Sequence, residues 1–217
     1  PIYNGQLERD EKTFKLTTDH WATYILSYHD VNFADTQNHW ADNTITYLAA
    51  REVIKGMTES TFEPDASMTR AQFVQILANM SNQDLTASKG TAFSDVNENA
   101  WFAKAAAWAA ETGLVTGSIN GNGEIYFNPN EYITRQDMAV LLSRYLSKVE
   151  QKKLTEVKAE VVFKDSDQVG SYASSAVKDL QKAGIINGRT ADSFVPRGNA
   201  TRAECAKMIS TLMQNYL

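Results

Sequence analysis

The stretch Met68-Thr69-Arg70-Ala71-Gln72-Phe73 decides the fold, because its pattern returns twice along the chain. The second copy is Ile133-Thr134-Arg135-Gln136-Asp137-Met138, and the third is Ala200-Thr201-Arg202-Ala203-Glu204-Cys205. The second copy follows the first by 65 residues and the third follows the second by 67. These intervals exceed the common solenoid periods. The sequence therefore predicts three copies of one small unit that contains two helices.

Each copy carries a threonine at a position that suits a helix cap. In the pattern Thr-x-x-Gln/Glu, the threonine hydroxyl accepts the N–H of the third helical residue, and the Gln or Glu side chain accepts the N–H of the cap itself. Asp137 can do the same only with a shorter arm. We predict a capped second helix in each unit, and each cap contributes roughly 0.5–2 kcal/mol.

The arginine that follows each threonine has no use in capping, and the helix dipole favours anions rather than cations in the first turn. Bare N–H groups, the positive helix end and a guanidinium would together bind a carboxylate or phosphate. A single arginine of this kind is more simply an exposed residue whose stem covers apolar surface, or one paired with a nearby carboxylate. Because it recurs in all three copies, we interpret Arg70, Arg135 and Arg202 as ligand-binding residues.

Composition excludes several classes of function. The net charge of −5 argues against nucleic acid as a partner. No stretch approaches the roughly 20 apolar residues of a membrane span. Cys205 is the single cysteine, so no internal disulfide is expected, and it takes the place of a core residue. The chain begins at Pro1 without a signal peptide, and we expect a mature fragment.

Residues 1–30 do not belong to the repeat. Polar residues alternate with apolar or aromatic ones in Thr13–Thr17 and again in Thr23–Tyr28, which is typical of strands. We predict an N-terminal β-hairpin, and because an isolated hairpin is marginal in water, we expect it to be the remnant of an upstream β-domain or to lean on the helical part.

The other parts of the unit recur at fixed distances. An aromatic residue precedes a glycine by sixteen residues in every copy, and a proline precedes the capping threonine by five. We predict a first helix over Trp40–Ile54 and a second from Thr69 to about Met80, with equivalents in the other units. The units are unit 1 (31–81), unit 2 (92–147) and unit 3 (162–217), joined by polar surface connections. Asn120–Glu124 lacks the ligand spacing of an EF-hand, so a turn is the better interpretation.

This set of parts resembles the S-layer homology (SLH) family: Phe-x-Asp, a following Trp, a helix that ends near Gly, Phe-x-Pro and Thr-Arg-Ala-Glu. The resemblance covers about Asn32 to Leu217 as a tandem triplet. It implies a mainly α fold, in which three SLH repeats form one pseudo-threefold body with a central three-helix bundle and three prongs. It also implies a secreted protein on the surface of Gram-positive bacteria, which holds passenger domains non-covalently on the wall.

The resemblance implies a binding partner and its site. The partner is secondary cell-wall polymer, often ending in N-acetylmannosamine with a pyruvate ketal, and it binds in grooves between the prongs. We expect the arginine of one unit to face the Asp, the aromatic residue and the Gly of the next unit. These sets are Arg70 with Asp95, Trp101 and Gly117; Arg135 with Asp165, Tyr172 and Gly188; and Arg202 with Asp35, Trp40 and Gly56. We rank the groove expected to hold Tyr172 as weakest.

No catalytic residue, metal ligand or cofactor is predicted. Glycosidases need two converging carboxylates, and none stands out from the repeat pattern. Two alternatives to polymer binding remain, namely a calcium-independent protein-interaction module and a fragment of a wall-glycan enzyme. A turnover assay and a pull-down against wall polymer would distinguish them.

Overall fold

The computed structural model describes residues 6–8, 13–15, 21, 23, 29–88, 90 and 93–217. Within these residues the chain is mainly helical, with six α-helices and two small antiparallel sheets of two strands each. The predicted mainly α class is therefore confirmed.

The N-terminal part contains one short strand pair. Strand β1 (Gln6–Glu8) pairs antiparallel with β2 (Thr13–Lys15). The strand predicted at Thr13–Thr17 is thus present, and its described partner lies upstream rather than downstream. The second predicted strand, Thr23–Tyr28, lies almost wholly outside the described residues, so the hairpin expected between these two segments stays a prediction.

Each unit contains a short first helix and a longer second helix. The first helices are α1 (Asp42–Ala49), α3 (Ala103–Glu111) and α5 (Ser174–Lys182). The second helices are α2 (Arg70–Ser81), α4 (Arg135–Arg144) and α6 (Arg202–Tyr216). The second helix of unit 1 matches its predicted bounds, whereas the first is shorter than the predicted Trp40–Ile54.

A residue with left-handed backbone follows each first helix and explains its early end. Glu52 has a φ of 58°, and its equivalents are Gly113 at 67° and Gly184 at 74°. A β-carbon is strained in this region, while glycine is not. The chain therefore turns at this point in every unit.

The longer loop of unit 2 is a small hairpin. Strands β3 (Ser118–Ile119) and β4 (Ile125–Tyr126) pair antiparallel. Between them the side-chain oxygen of Asn120 accepts the backbone N–H groups of Asn122 at 2.9 Å and of Glu124 at 3.0 Å. These bonds support the interpretation of Asn120–Glu124 as a turn.

A pair of phenylalanines closes the core of each unit. The phenylalanine of Phe-x-Asp packs against the phenylalanine of Phe-x-Pro, and all six residues are buried. The ring centroids are 5.6 Å apart for Phe33 and Phe62, 5.4 Å for Phe93 and Phe127, and 5.9 Å for Phe163 and Phe194. The beginning of each unit is therefore held to its Phe-x-Pro loop in the same way three times.

The three units are joined in a ring by backbone hydrogen bonds. The N–H of Met68 donates to the carbonyl of Ala200, that of Ala200 to Ile133 and that of Ile133 to Met68, each at 2.9 Å. Each of these residues stands two positions before a second helix. The N-terminal ends of α2, α4 and α6 therefore lie together.

Helix packing follows the same cyclic order. Helix α2 packs on α3, α4 packs on α5, and α6 returns to pack on α1. The second helix of each unit thus covers the first helix of the next, and one continuous core results. Clefts between units follow from this arrangement, because every unit meets its neighbour through equivalent elements.

Candidate functional site: the clefts between units

The first-turn N–H groups of the second helices are already hydrogen bonded. In α2 the N–H of Arg70 donates to Glu131 at 2.9 Å and that of Ala71 to Pro129 at 3.0 Å, while the hydroxyl of Thr69 accepts from Gln72. Loop carbonyls of the next unit serve α4 and α6 in the same way. The expectation of bare N–H groups for an anion is therefore wrong, because the neighbouring unit uses them.

The capping boxes predicted at Thr69 and Thr201 are present, and the third position differs. At Thr134 the hydroxyl accepts the N–H of Asp137, but the short carboxylate does not return to the backbone N–H of the cap. Its oxygens instead accept the hydroxyls of Thr134 and Tyr172, both at 2.6 Å.

The three arginines join neighbouring units. The Nε of each donates to the phenylalanine carbonyl in the Phe-x-Pro loop of the next unit, and the guanidinium lies over the ring of that phenylalanine. The hydrogen bonds are Arg70 to Phe127 at 2.9 Å, Arg135 to Phe194 at 2.8 Å, and Arg202 to Phe62 at 2.7 Å.

The arginines differ in their other bonds. The Nη2 of Arg135 donates to the carbonyl of Asn187 at 2.7 Å and that of Arg202 to Lys55 at 2.8 Å, and these two arginines are only 2% and 5% exposed. Arg70 is half-buried and makes only the Nε bond among the described residues. These arginines, which have no use in capping, therefore join neighbouring units, in addition to the ligand binding that we predict for them.

The aspartates of Phe-x-Asp hold the Phe-x-Pro loop of their own unit. The carboxylate of Asp35 accepts the N–H groups of Phe62 at 2.8 Å and of Glu63 at 2.6 Å, and Glu63 has a left-handed φ of 58°. Asp95 and Asp165 make the equivalent bonds. Desolvation opposes ionisation of Asp35, but the loop N–H groups and the charge of Arg202 hold its pKa below the usual value. These carboxylates thus fix the carbonyl that receives the arginine.

The glycines of the clefts are required by packing within their own units. A β-carbon at Gly56 would lie 2.5 Å from the ring of Phe33 and 2.3 Å from the carbonyl of Thr58. A β-carbon at Gly117 would lie 2.9 Å from the ring of Phe93, and one at Gly188 would lie 2.7 Å from the ring of Phe163. Core packing therefore requires glycine at these positions, whether or not a ligand binds there.

The first cavity lies between units 1, 2 and 3 and measures about 430 Å³. Its wall combines Arg202 from unit 3, Gly56 from unit 1 and Trp101 from unit 2. The indole of Trp101 is 64% exposed, so its face is free to contact a ligand. Helix α2 adds a polar stripe to the same wall: Gln72, Gln75 and Asn79. We call this cavity the Arg202 cleft.

The second cavity repeats the arrangement one unit further on and measures about 290 Å³. Its wall combines Arg70, Gly117 and the exposed ring of Tyr172, again one residue from each unit. Two carboxylates, Asp137 and Glu131, also line it. We call this cavity the Arg70 cleft.

At the third equivalent position, which we call the Arg135 cleft, the chain itself supplies a carboxylate to the guanidinium. Nη1 of Arg135 donates to the carboxylate of Glu204 at 2.9 Å, and Arg189 grips the same carboxylate with Nε at 2.9 Å and Nη2 at 2.7 Å. Burial would raise the pKa of Glu204, but the hydrogen bonds from Arg189 and Thr201 and the charge of Arg135 hold it below the usual value. The guanidinium of Arg135 is therefore already paired with the ionised carboxylate of Glu204.

The structure regroups the predicted site residues. Each cavity takes its arginine and its glycine from neighbouring units as expected, but its aromatic residue comes from the remaining unit. Trp101 lies with Arg202 rather than with Arg70, and Tyr172 lies with Arg70 rather than with Arg135. The other predicted residues line neither cavity: Asp35, Trp40, Asp95, Arg135, Asp165 and Gly188.

The sequence interpretation missed the polar stripe of α2. Gln72, Gln75 and Asn79 recur at helical spacing, so the signal was present in the printed sequence. Asn79 also donates to the carbonyl of Val53 at 3.2 Å, and Gln75 donates to Asn79 at 2.8 Å. The stripe is thereby held in place beside Arg202.

No helix in the described residues is long and apolar enough to cross a membrane. No group of three or more His, Cys, Asp or Glu residues in that part of the chain is placed to hold a metal ion.

Comparison with known proteins identifies the repeat. The family model described as S-layer homology domain matches residues 32–74, 92–139 and 162–206. The chain is 32% identical to an amylopullulanase of Thermoanaerobacterium thermosulfurigenes over 97% of its length and 11% of that protein's. It is 35% identical to the exoglucanase XynX of Acetivibrio thermocellus over 85% of the chain and 16% of the relative. It is 30% identical to the S-layer protein sap of Bacillus anthracis over 80% of the chain and 20% of the relative. The chain thus spans a fifth or less of these proteins.

Proposed function

This chain belongs to the S-layer homology domain family of cell-surface, cell-wall-associated proteins, and we propose that it anchors a surface protein non-covalently by binding secondary cell-wall polymer between its units. The observation that carries the proposal is the shared composition of the two open clefts. Each presents a guanidinium, an exposed aromatic ring and a glycine, and each draws them from all three units.

The size and chemistry of the clefts suit a sugar. Small-molecule pockets typically measure about 300–1,000 Å³, and the Arg202 and Arg70 clefts measure about 430 and 290 Å³. The exposed faces of Trp101 and Tyr172 can cover the apolar face of a pyranose ring. The amides of Gln72, Gln75 and Asn79 can exchange hydrogen bonds with its hydroxyl groups.

The terminal sugar we propose is N-acetylmannosamine with a pyruvate ketal. The ketal carries a permanently ionised carboxylate, and a guanidinium binds a carboxylate by charge-assisted hydrogen bonds. The remaining N–H groups of Arg202 and Arg70 can supply these bonds. The predicted residues that line the two clefts stay part of this proposal: Arg70, Arg202, Gly56, Gly117, Trp101 and Tyr172. Asp35 and Asp95 act through the loops that they hold.

We propose that α2, α4 and α6 form the central bundle of a pseudo-threefold body and that the rest of each unit forms a prong. The ring of hydrogen bonds between Met68, Ile133 and Ala200 supports this arrangement, because it draws the beginnings of the three second helices together. The passenger domains of the whole protein would then project from a single anchor.

We propose binding without turnover. The enzymes among the relatives share with this chain only 9% to 31% of their own length. The two clefts also differ in their carboxylates: two line the Arg70 cleft and none lines the Arg202 cleft. A catalytic pair would require two converging carboxylates, but Asp137 in the Arg70 cleft already accepts the hydroxyls of Thr134 and Tyr172.

The proposal is tested by titrating the chain with purified wall polymer and with pyruvylated N-acetylmannosamine, using calorimetry. Trp101→Ala should weaken binding about 5- to 100-fold, if the face of a sugar ring gains from the indole roughly the 1–3 kcal/mol that a stacked nucleobase gains from an aromatic side chain. Tyr132→Ala is the matched control, because this ring is 55% exposed and lines neither cleft. Absence of polymer binding by the intact chain would refute the proposed function.

A further inference from the structure

One structural position distinguishes the three clefts. It is the third residue of each second helix, and it holds Gln72 in α2, Asp137 in α4 and Glu204 in α6. In every cleft this residue stands beside the arginine of the preceding unit. Its side chain can therefore either accept a hydrogen bond from the guanidinium or leave the guanidinium available to a ligand.

In the Arg135 cleft each of the three guanidinium nitrogens donates a hydrogen bond to the protein. Nε and Nη2 donate to the carbonyls of Phe194 and Asn187, and Nη1 donates to Glu204 at 2.9 Å. The Glu204 side chain is 15% exposed and is also held by Arg189. A carboxylate from a ligand would have to displace one that is covalently part of the chain.

In the Arg202 cleft the same guanidinium lacks its third partner. Nε and Nη2 of Arg202 donate to the carbonyls of Phe62 and Lys55, as in the Arg135 cleft. Nη1 has no hydrogen-bond or ion-pair partner in the described part of the chain, although Arg202 is 95% buried and lines a cavity of about 430 Å³. Gln72 stands where Glu204 stands in the other cleft, and its side-chain oxygen accepts the N–H of Thr69 at 3.0 Å. A neutral amide has thus replaced the internal carboxylate.

The Arg70 cleft lies between these two cases. Nη1 and Nη2 of Arg70 have no partner among the described residues, because the short arm of Asp137 is bonded to Thr134 and Tyr172 instead. The carboxylates of Asp137 and Glu131 nevertheless line the same cavity. They oppose a further negative charge there, and the guanidinium of Arg144, which lines the same cavity, offsets part of this repulsion.

We infer that the residue at this position selects which cleft binds an anionic sugar: Gln72 leaves the Arg202 cleft open to a carboxylate, whereas Glu204 closes the Arg135 cleft by supplying one. This inference rests on the proposed function and adds an order of affinity to it. The Arg202 cleft binds a carboxylated sugar most tightly, the Arg70 cleft binds it more weakly, and the Arg135 cleft does not bind it. The selection follows from one helical residue rather than from the arginine, which all three clefts share.

The test exchanges the residue between clefts in the full chain and titrates pyruvylated N-acetylmannosamine by calorimetry. Gln72→Glu keeps the capping box and adds the internal carboxylate, so affinity at the Arg202 cleft should fall about 10- to 100-fold through loss of charged hydrogen bonds. Gln214→Glu is the matched control, since it adds the same charge at an exposed position of α6 that lines neither cleft, and it should change this affinity less than about threefold. Equal affinity of Gln72→Glu and the unaltered chain would overturn the inference.

The reverse exchange, Glu204→Gln, should add a binding site for the same sugar. This variant should melt at a lower temperature, because Arg135 and Arg189 then face each other without a carboxylate, and the sugar should raise that temperature. A folded variant with no new site would overturn the assignment of Glu204 as the closing residue. Wall polymer separates the two proposals, and the sugar without pyruvate serves as the uncharged comparison ligand. If the unaltered chain and Gln72→Glu bind the polymer equally well, the anchoring function stands and the selection by charge is refuted.

Discussion

Replacing Arg202 with alanine should destabilise the whole chain, contrary to what the sequence pattern suggests. The guanidinium makes two hydrogen bonds to the carbonyls of Phe62 and Lys55, and it is 5% exposed. Leaving a buried polar group unsatisfied costs roughly 1–3 kcal/mol, so two carbonyls cost about 2–6 kcal/mol. For a chain of this size, each kcal/mol lowers the melting temperature by about 2–4 °C. We expect a loss of about 5–20 °C.

Two comparisons isolate the cause of this effect. Arg70→Ala should cost less than Arg202→Ala, because Arg70 is half-buried and donates to only one carbonyl, that of Phe127, among the described residues. Arg202→Lys should recover only part of the stability, since an ammonium group cannot reproduce the planar geometry that serves two carbonyls at once.

Urea denaturation followed by circular dichroism measures the change in the free energy of unfolding. Arg197→Ala serves as the control, because Arg197 is an exposed arginine in the same unit, and exposed substitutions usually change stability by less than about 0.5 kcal/mol. If Arg202→Ala unfolded at the same urea concentration as Arg197→Ala, the arginine would not join unit 3 to unit 1, and the structural role assigned to it would be refuted.

Three further changes have expected outcomes. Glu52→Gly should raise the free energy of unfolding by about 1 kcal/mol in urea denaturation, because a non-glycine residue costs roughly 1–2 kcal/mol in the left-handed region and the backbone entropy of glycine offsets part of this gain. Residue 52 has a left-handed φ of 58° where the other units have glycine, and no gain would contradict the strain. The melting temperature should fall as the pH drops below about 4, since Asp35 and Asp165 have folded pKa values below their unfolded ones, so the stability that they add is present above the unfolded pKa and is lost in acid. Asp165→Asn should flatten this dependence, and an unchanged pH profile would argue against the loop bonds as its cause. Residues 92–148 expressed alone should show no sharp thermal transition, because α3 packs on α2 and α4 on α5; a cooperative transition with native helicity would contradict a shared core.

The parts of the fold that the sequence predicted are those settled within a few residues. The hydroxyl of Thr69 finds its donor at Gln72 only three residues away, and the same spacing recurs at Thr201. Such a contact follows from local backbone geometry, so the pattern specifies it completely. The mainly α class and the starts of the second helices follow for the same reason.

The parts that the sequence did not predict depend on which unit stands next to which. Arg70 finds its carbonyl 57 residues away and Arg202 finds its carbonyl 140 residues away. Nothing in a hexapeptide pattern indicates such a partner, so the arginines looked free for a ligand. The predicted grouping of the aromatic residues was wrong for the same reason. It paired each unit only with the next one, whereas Trp101 of unit 2 reaches the cleft between units 3 and 1.

Local capping and contacts between units both involve the third residue of the second helix. Local sequence assigns Gln72, Asp137 and Glu204 one role, that of a cap partner, and ranks them only by the length of their arms. The tertiary structure gives each a second role, because the ring of units brings it beside an arginine from another repeat. Glu204 then fills both roles at once, accepting the N–H of Thr201 and the Nη1 of Arg135, each at 2.9 Å. Gln72 can fill only the first, and the charge that it lacks is the charge that the Arg202 cleft leaves for a ligand to supply.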